Sequence, residues 1–244
     1  MAQSATADGD GIRLLDSGFM LRVFYIFAAL ALISVLISLG GKFLGRSIAA
    51  VGHTEDTTIH EIVVGNNVLA VPANMIRFEK ARREGEVLRL DLYAKWPQMT
   101  GYTDADRDEF NNRDDRRNII FMTLEESLMS RDMSGRLEPI YRRLIELPGA
   151  PGPAAGLRVY AFTKDSGYLN EMLVVGERRG GKVFVARCLT GQAAADSLAG
   201  CERDVHVGDR LSLTYRFPEA MLRNWQALDA AVLAKSAEFL QTGG

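Results

Sequence analysis

The stretch RLSLTYRFPEAMLRNWQALDAAVLAKSAEFLQ, residues 210–241, changes its hydrophobic period partway along. Leu211, Leu213, Tyr215 and Phe217 alternate with Ser212, Thr214 and Arg216, the period-2 pattern of a strand with one face on a core and the other in water. After Pro218 the spacing becomes helical, with Met221, Trp225, Leu228, Val232 and Phe239 on one stripe. Pro218 suits the opening of that helix, because the first turn has no use for its missing N–H. A half-buried strand followed by an amphipathic helix predicts an α+β domain in which the helix packs its stripe on a sheet.

Upstream, short runs of β-branched and aromatic residues predict more strands: IHEIVV (59–64), NVLAV (67–71), VLRLDLYA (87–94), IIFMTL (119–124), LRVYAF (157–162) and YLNEMLVV (168–175). Their close spacing points to an antiparallel, sandwich-like sheet, with Gly65-Asn66, Gly180-Gly181 and Gly208-Asp209 supplying turns. A shorter helix is expected over PIYRRLIEL (139–147), with Ile140, Leu144 and Leu147 on one face. The segment PGAPGPAAG (148–156) reads as a long surface loop within one domain.

The N-terminal region has a different character. VFYIFAALALISVLISL (23–39) carries no charge and is flanked by Arg22, Lys42 and Arg46. At 1.5 Å per residue, about 20 residues cross the ~30 Å hydrocarbon core of a bilayer. The sequence therefore predicts a cytosolic tail at 1–20, a transmembrane helix at 21–44 in contact with the lipid bilayer, and a domain at 45–244. Ser47-Ile48-Ala49 offers a cleavage site for the rival reading, a secretory signal peptide, but the apolar run is longer than such peptides use. Positive charges tie across the span, Arg13 and Arg22 against Lys42 and Arg46, so they leave its orientation open.

The only two cysteines, Cys188 and Cys201, flank a loop of small residues between the strand-like KVFVAR and RLSLTYRF. Antiparallel pairing of those strands would bring the loop ends within disulfide reach. Two independent thiols, or a zinc site using His206, are the competing readings; zinc sites space their cysteines more closely and need two further ligands. A disulfide there would require an oxidising compartment, which would put the C-terminal domain outside the cytosol and the short N-terminus inside it.

Composition narrows the function classes. The 244 residues are 47% hydrophobic and 25% charged, ordinary for a globular chain, and the net charge of −2 gives no basic field for nucleic acid. GERRGGKV (176–183) matches the spacing of a phosphate-binding loop, but Val183 stands where magnesium needs Ser or Thr, and a strand follows instead of a helix. Asp104, Asp106, Asp108 and Asp115 fall at positions 1, 3, 5 and 12 of a calcium loop. Glu109 occupies the glycine position, and Arg107, Arg113, Arg116 and Arg117 supply counter-charge, so a solvated loop competes with calcium. Trp96, Met99 and Tyr102 concentrate adaptable contact residues at a strand end, suiting either a partner or ligand contact or core packing. No G-x-S-x-G elbow is present and His53, His60 and His206 are scattered, so no catalytic residue and no cofactor is expected.

The runs VGNNVLAVPANMIRFEKARREGEVLRLDLYAKWPQMTGY and CERDVHVGDRLSLTYRFP resemble uncharacterised single-pass envelope proteins of α-proteobacteria. That resemblance implies an inner-membrane anchor and a periplasmic domain, and no reaction. The expected function is a membrane-anchored accessory or scaffold protein of a cell-envelope complex with an envelope protein partner. A periplasmic sensor or ligand-binding module is the alternative.

Overall fold

The structure, a computed structural model, describes residues 17–49, 52–111, 118–178 and 180–241, with side chains over 21–37 only in the first of these. The chain divides into two compact units, 1–51 and 52–244. The first contains helix α1 (Ser17–Ala49). Of its described side chains only Val23 is partly covered; Phe24, Ile33 and Ile37 are exposed. Among the described residues no helix is long and apolar enough to cross a membrane. The seventeen positions with described side chains span only about 25 Å at the helical rise. The expected span at 21–44 runs past them, and most of the expected tail at 1–20 lies outside the described residues.

The second unit runs β1 (Ile59–Val64), β2 (Asn67–Pro72), β3 (Gly85–Glu86), β4 (Arg89–Lys95), α2 (Arg107–Phe110), β5 (Ile119–Glu126), α3 (Met133–Arg136), β6 (Ala150–Pro151) and β7 (Leu157–Ala161). There follow β8 (Glu171–Gly176), β9 (Phe184–Leu189), α4 (Gly191–Asp196), β10 (Cys201–Val207), β11 (Leu211–Phe217) and α5 (Trp225–Phe239). Eight strands form one antiparallel sheet in the order β4-β5-β11-β10-β9-β8-β7-β6. Three more form a small sheet, β2-β1-β3, with Gly65-Asn66 turning β1 into β2 as the sequence predicts. The expectation of a β-rich antiparallel α+β domain with a C-terminal helix holds. In place of two comparable sheets, however, the small sheet and α5 share the work of covering the inner face of the large one.

That inner face is the core. Leu92, Met122, Leu213, Phe217 and Phe184 of the large sheet join Ile62, Leu69 and Val71 of the small sheet and Trp225, Leu228 and Val232 of α5 in one buried cluster. Complete burial contributes roughly 1.5–3 kcal/mol per large apolar side chain, so the α5 stripe is a substantial part of the domain's stability. The close approach of helix to sheet depends on Gly176, where a Cβ would meet Trp225 and Leu157 side-chain atoms at 2.9 Å.

Two sequence readings need correction. The helix expected at 139–147 is absent: α3 lies earlier, residues 141–143 form one 3-10 turn, and Ile145 makes a strand bridge to Phe162. Tyr141 and Ile145 are the buried residues there, while Ile140 and Leu147 are exposed. The backbone is drawn off the helical path by the sheet, since Glu146 N–H donates to Ala161 O at 2.9 Å. The other correction concerns the cysteines. KVFVAR and RLSLTYRF do not pair; an intervening strand, β10, begins at Cys201 itself and pairs with both neighbours.

The junction between β9 and β10 is short for two strands of six and seven residues. β10 matches β11 over seven residue pairs and β8 matches β9 over six, but β9 and β10 share only Cys201↔Cys188 and Glu202↔Arg187. The sheet is thus two four-stranded halves meeting at a seam, and the Cys188–Cys201 disulfide clasps the closed end, its Cα atoms 4.0 Å apart. Beyond the clasp a side chain replaces the missing ladder. Arg203 points inward from β10, donates to Val185 O at 3.0 Å and to Ser134 Oγ at 3.0 Å, and Ser134 Oγ donates to Val183 O at 2.7 Å. The same guanidinium donates through Nε to Asp229 of α5 at 3.0 Å and lies 4.8 Å from the centre of the Phe184 ring. Strand carbonyls that a full ladder would have satisfied are bonded this way instead.

Candidate functional site

Side chains alternate across a strand, so each strand that sends Leu or Phe inward sends its other residues outward. Over β7, β8 and β9 the outer face is covered: Met133, Leu137, Tyr141 and Ile145 pack on Tyr160, Leu173, Val175 and Val185. Over β4, β5, β11 and β10 the outer face carries a ladder of polar residues: Arg89 and Asp91, Thr123 and Glu125, Thr214 and Arg216, Glu202 and Asp204.

The ladder is cross-linked by charge. Arg89 Nε and Nη2 bond the Asp91 carboxylate at 2.8–3.0 Å, and Thr123 Oγ1 donates to the same group at 2.8 Å. Burial works to raise the Asp91 carboxyl, but these hydrogen bonds and the nearby Arg89 and Arg77 charges hold it below the usual carboxylate range. Glu202 is shared, taking Arg187 Nη2 at 2.9 Å on one oxygen and Arg216 Nε at 2.7 Å on the other. Burial opposes the Arg187 charge, yet Glu171, Tyr141 and Glu202 outweigh it and raise its pKa. Asp204 pairs with Arg136, and burial still pushes its carboxyl above the ordinary value. Two depressions lie along this face. One, a trough of about 400 Å³, runs between Arg77, Arg89, Thr123, Thr214, Arg216 and Leu198; a second, of about 280 Å³, adjoins Ser127, Met129, His206 and Arg136. Around them Leu128, Met129, Leu198 and Phe78 are exposed, Leu128 to 98%.

The open end of the seam forms a third depression, about 410 Å³, lined by Asp132, Ser134, Lys182 and His206. His206 Nε2 lies 2.9 Å from Ser127 Oγ, a pairing that sequence reading did not anticipate. The Ser127 hydroxyl is also within hydrogen-bonding distance of Met129 O, at 2.8 Å, so the backbone carbonyl competes with the ring for its proton.

The residues singled out by sequence lie elsewhere. Met99 and Tyr102 are buried and Trp96 packs partly against the main core, so Trp96, Met99 and Tyr102 do not form a contact surface. The chain turns back after β4, with Met99 N–H donating to Lys95 O and Lys95 N–H to Thr100 O, each at 2.8 Å, which tucks Met99 inward. Tyr102 stacks on His53, ring centres 4.7 Å apart, beside Tyr93 and Phe110. The calcium-like run forms a 3-10 turn at Asp104–Asp106 followed by α2. Asp104 accepts from Tyr102 Oη at 3.0 Å, and Asp106 is bonded to Lys95 Nζ at 2.6 Å. Asp108 is exposed, and Asp115 lies outside the described residues. Among the described residues no group of three or more His, Cys, Asp and Glu side chains is gathered to hold a metal ion. The GERRGGKV segment connects β8 to its antiparallel neighbour β9, a hairpin position rather than a strand-to-helix phosphate loop.

No family model matches this chain, and no curated protein matches it. Among solved structures, an immunity protein of the Stenotrophomonas maltophilia type IV secretion system is similar over 78% of this chain and 96% of its own, at 16% identity and a TM-score of 0.53. The Neisseria meningitidis iron-regulated outer membrane lipoprotein FrpD aligns over 77% of this chain and 94% of its own, at 11% identity and a TM-score of 0.42. The first of these likenesses is one of fold.

Proposed function

We propose that this chain is a membrane-anchored accessory protein of a bacterial cell envelope, whose folded domain works outside the cytosol by binding another protein. The observation that carries the reading is the uncovered half of the outer sheet face. There a rigid set of paired charges is ringed by exposed Leu128, Met129, Leu198 and Phe78, a combination of ordered polar groups and accessible apolar side chains that suits a protein interface.

Location rests on two further supports. The Cys188–Cys201 disulfide belongs in an oxidising compartment. Helix α1, whose described side chains are mostly apolar and largely exposed, is read as a single membrane span over 21–44, holding the domain on the periplasmic side of a Gram-negative inner membrane. The α-proteobacterial resemblance agrees with this placement. The domain shares its fold with an immunity protein of a type IV secretion system, and for this domain engagement of another protein is proposed. No catalytic step is part of the proposal.

In-cell crosslinking, detergent capture of the tagged full chain and mass spectrometry test it. A reproducible set of envelope proteins is the expected result, and recovery of the bare chain refutes partner binding. A second reading, a ligand-binding module, is favoured by the seam cleft with its Asp132, Lys182 and His206. A ligand there would shift the melting temperature of the wild type and not of a Lys182→Ala, His206→Ala double variant.

A further inference from the structure

The trough between β4, β5 and β11 differs from the rest of the ladder in how its arginines are held. Arg77 lies between two aromatic faces, its guanidinium carbon 5.1 Å from the Phe78 ring centre and 5.0 Å from that of Phe121. Its side chain makes no hydrogen bond or ion pair among the described residues, so all of its donors are unspent. Arg89 and Arg216 are held from below instead. Their side chains are 57% and 62% exposed, whereas the carboxylates that pin them, Asp91 and Glu202, are 18% and 25% exposed. The acids are recessed and the guanidiniums form the outer layer.

We infer that this trough receives a carboxylate side chain of a partner polypeptide, an Asp or Glu in an acidic segment, with Arg77 as the principal contact and Arg89 and Arg216 flanking it. The inference rests on the protein-binding reading above and identifies the chemistry of the partner. A guanidinium fork matches a carboxylate with two parallel hydrogen bonds, and a fork already clamped by rings or by a carboxylate beneath loses little freedom on binding. Asp91, Glu125 and Glu202 balance the three arginines, so the trough exerts little long-range attraction and distinguishes its ligand at contact. Thr214 on the floor offers its hydroxyl to the partner backbone, and exposed Phe78 and Leu198 offer apolar contact at the edges.

The test is titration of the full chain in lipid nanodiscs with a fluorescent hexaglutamate peptide, against hexaglutamine and inorganic phosphate. Hexaglutamate is expected to bind, hexaglutamine not, and Arg77→Gln to weaken hexaglutamate binding by about tenfold or more. Because the Arg77 side chain makes no hydrogen bond or ion pair among the described residues and loses only exposed ring contacts, that variant should lower the melting temperature only slightly, and Arg216→Gln should give a second, smaller loss of affinity. Equal binding by the two peptides, unchanged affinity in Arg77→Gln, or displacement of the peptide by equimolar phosphate would each overturn the assignment. Capture of the same envelope proteins by wild type and Arg77→Gln would sink this inference while leaving partner binding intact. A chain that captures nothing but binds hexaglutamate through Arg77 would separate the two in the other direction.

Discussion

Replacing Asp229 by alanine should destabilise the domain more than the loss of one surface ion pair would suggest. Asp229 is 1% exposed on α5 and accepts three hydrogen bonds: from Tyr215 Oη at 2.7 Å, Arg178 Nη2 at 2.9 Å and Arg203 Nε at 3.0 Å. Arg178 is one-third exposed and turns to water when its partner goes, so its share is at most about 1 kcal/mol. Arg203 is 3% exposed and has no such escape. Removing one partner of a buried pair costs about 3–5 kcal/mol, because the remaining charge stays buried. Its bonds to Val185 O and Ser134 Oγ and its place on Phe184 keep that cost near the lower end, while the stranded Tyr215 hydroxyl adds about 1 kcal/mol. The expected loss is therefore about 4 kcal/mol, or roughly 8–16 °C in melting temperature for a domain of this size. Denaturant unfolding of the full chain in detergent micelles, followed by the fluorescence of buried Trp225, reads it directly. The double variant Arg203→Met, Asp229→Leu removes both charges together and should recover most of the loss. A single-variant loss under about 1 kcal/mol, or a double variant no better than Asp229→Ala, would refute the claim that this pair joins helix to seam.

Three further outcomes follow from the same geometry. Cys188→Ala with Cys201→Ala should lower stability by about 3 kcal/mol for a loop of this length, and thiol alkylation of denatured cell material before reduction should label neither cysteine of the wild type. Gly208→Ala should destabilise, because Gly208 has φ +53 and a methyl group there would collide with Asn67 Oδ1, which accepts from Asp209 N–H at 2.8 Å; Asn67→Ala should relieve that collision without restoring wild-type stability. Burial lowers the His53 pKa below 6.5, against a hydrogen bond with Asn111, and Arg82 and Arg77 push it the same way. The unfolded chain therefore takes the proton more readily, so stability is complete above about pH 6.5 and is lost as pH falls below it; His53→Phe should flatten that part of the stability-against-pH curve.

Legibility in the sequence followed how cleanly each segment kept its period. β11 was readable because Leu211 to Phe217 keep a clean apolar alternation, and α5 because Trp225, Leu228, Val232 and Phe239 form a stripe dense enough to survive the buried Asp229 and Ser236. β10 was hidden for the opposite reason: its inward positions are Cys201, Arg203 and Val205, and a buried arginine breaks an apolar alternation that only the distant Asp229 makes tolerable. The segment at 139–147 misled because Ile140, Leu144 and Leu147 have helical spacing by coincidence, while the sheet bonds that capture Ile145 and Glu146 come from residues 161 and 162. The disulfide was legible as a pair of lone cysteines, although the strand that brings them together was not. The charged face escaped notice because its members are pairs of residues on four strands, assembled only by register. Its one sequence signal is the polar half of each alternation, such as Arg89 and Asp91 or Thr214 and Arg216, which reads as ordinary solvent face until the strands are aligned.

The order in which these parts become available is set by the path of the chain. β5 must wait for residues 211–217 before it gains its second neighbour, and β2 is edged by Leu240 and by Gln241, whose N–H donates to Val68 O. Synthesis delivers the chain from its N-terminus, so the early strands emerge long before the segments that complete them. Such long-range pairings close slowly, since a long loop must lose its freedom before any contact compensates. Until the final helix arrives, the β4–β5 pair has an open edge and an apolar face without its cover, the condition in which strands join the wrong neighbour. Residues 225–241 seal strands made far earlier, so truncation before Trp225 would expose those strands to aggregation rather than simply shorten the domain.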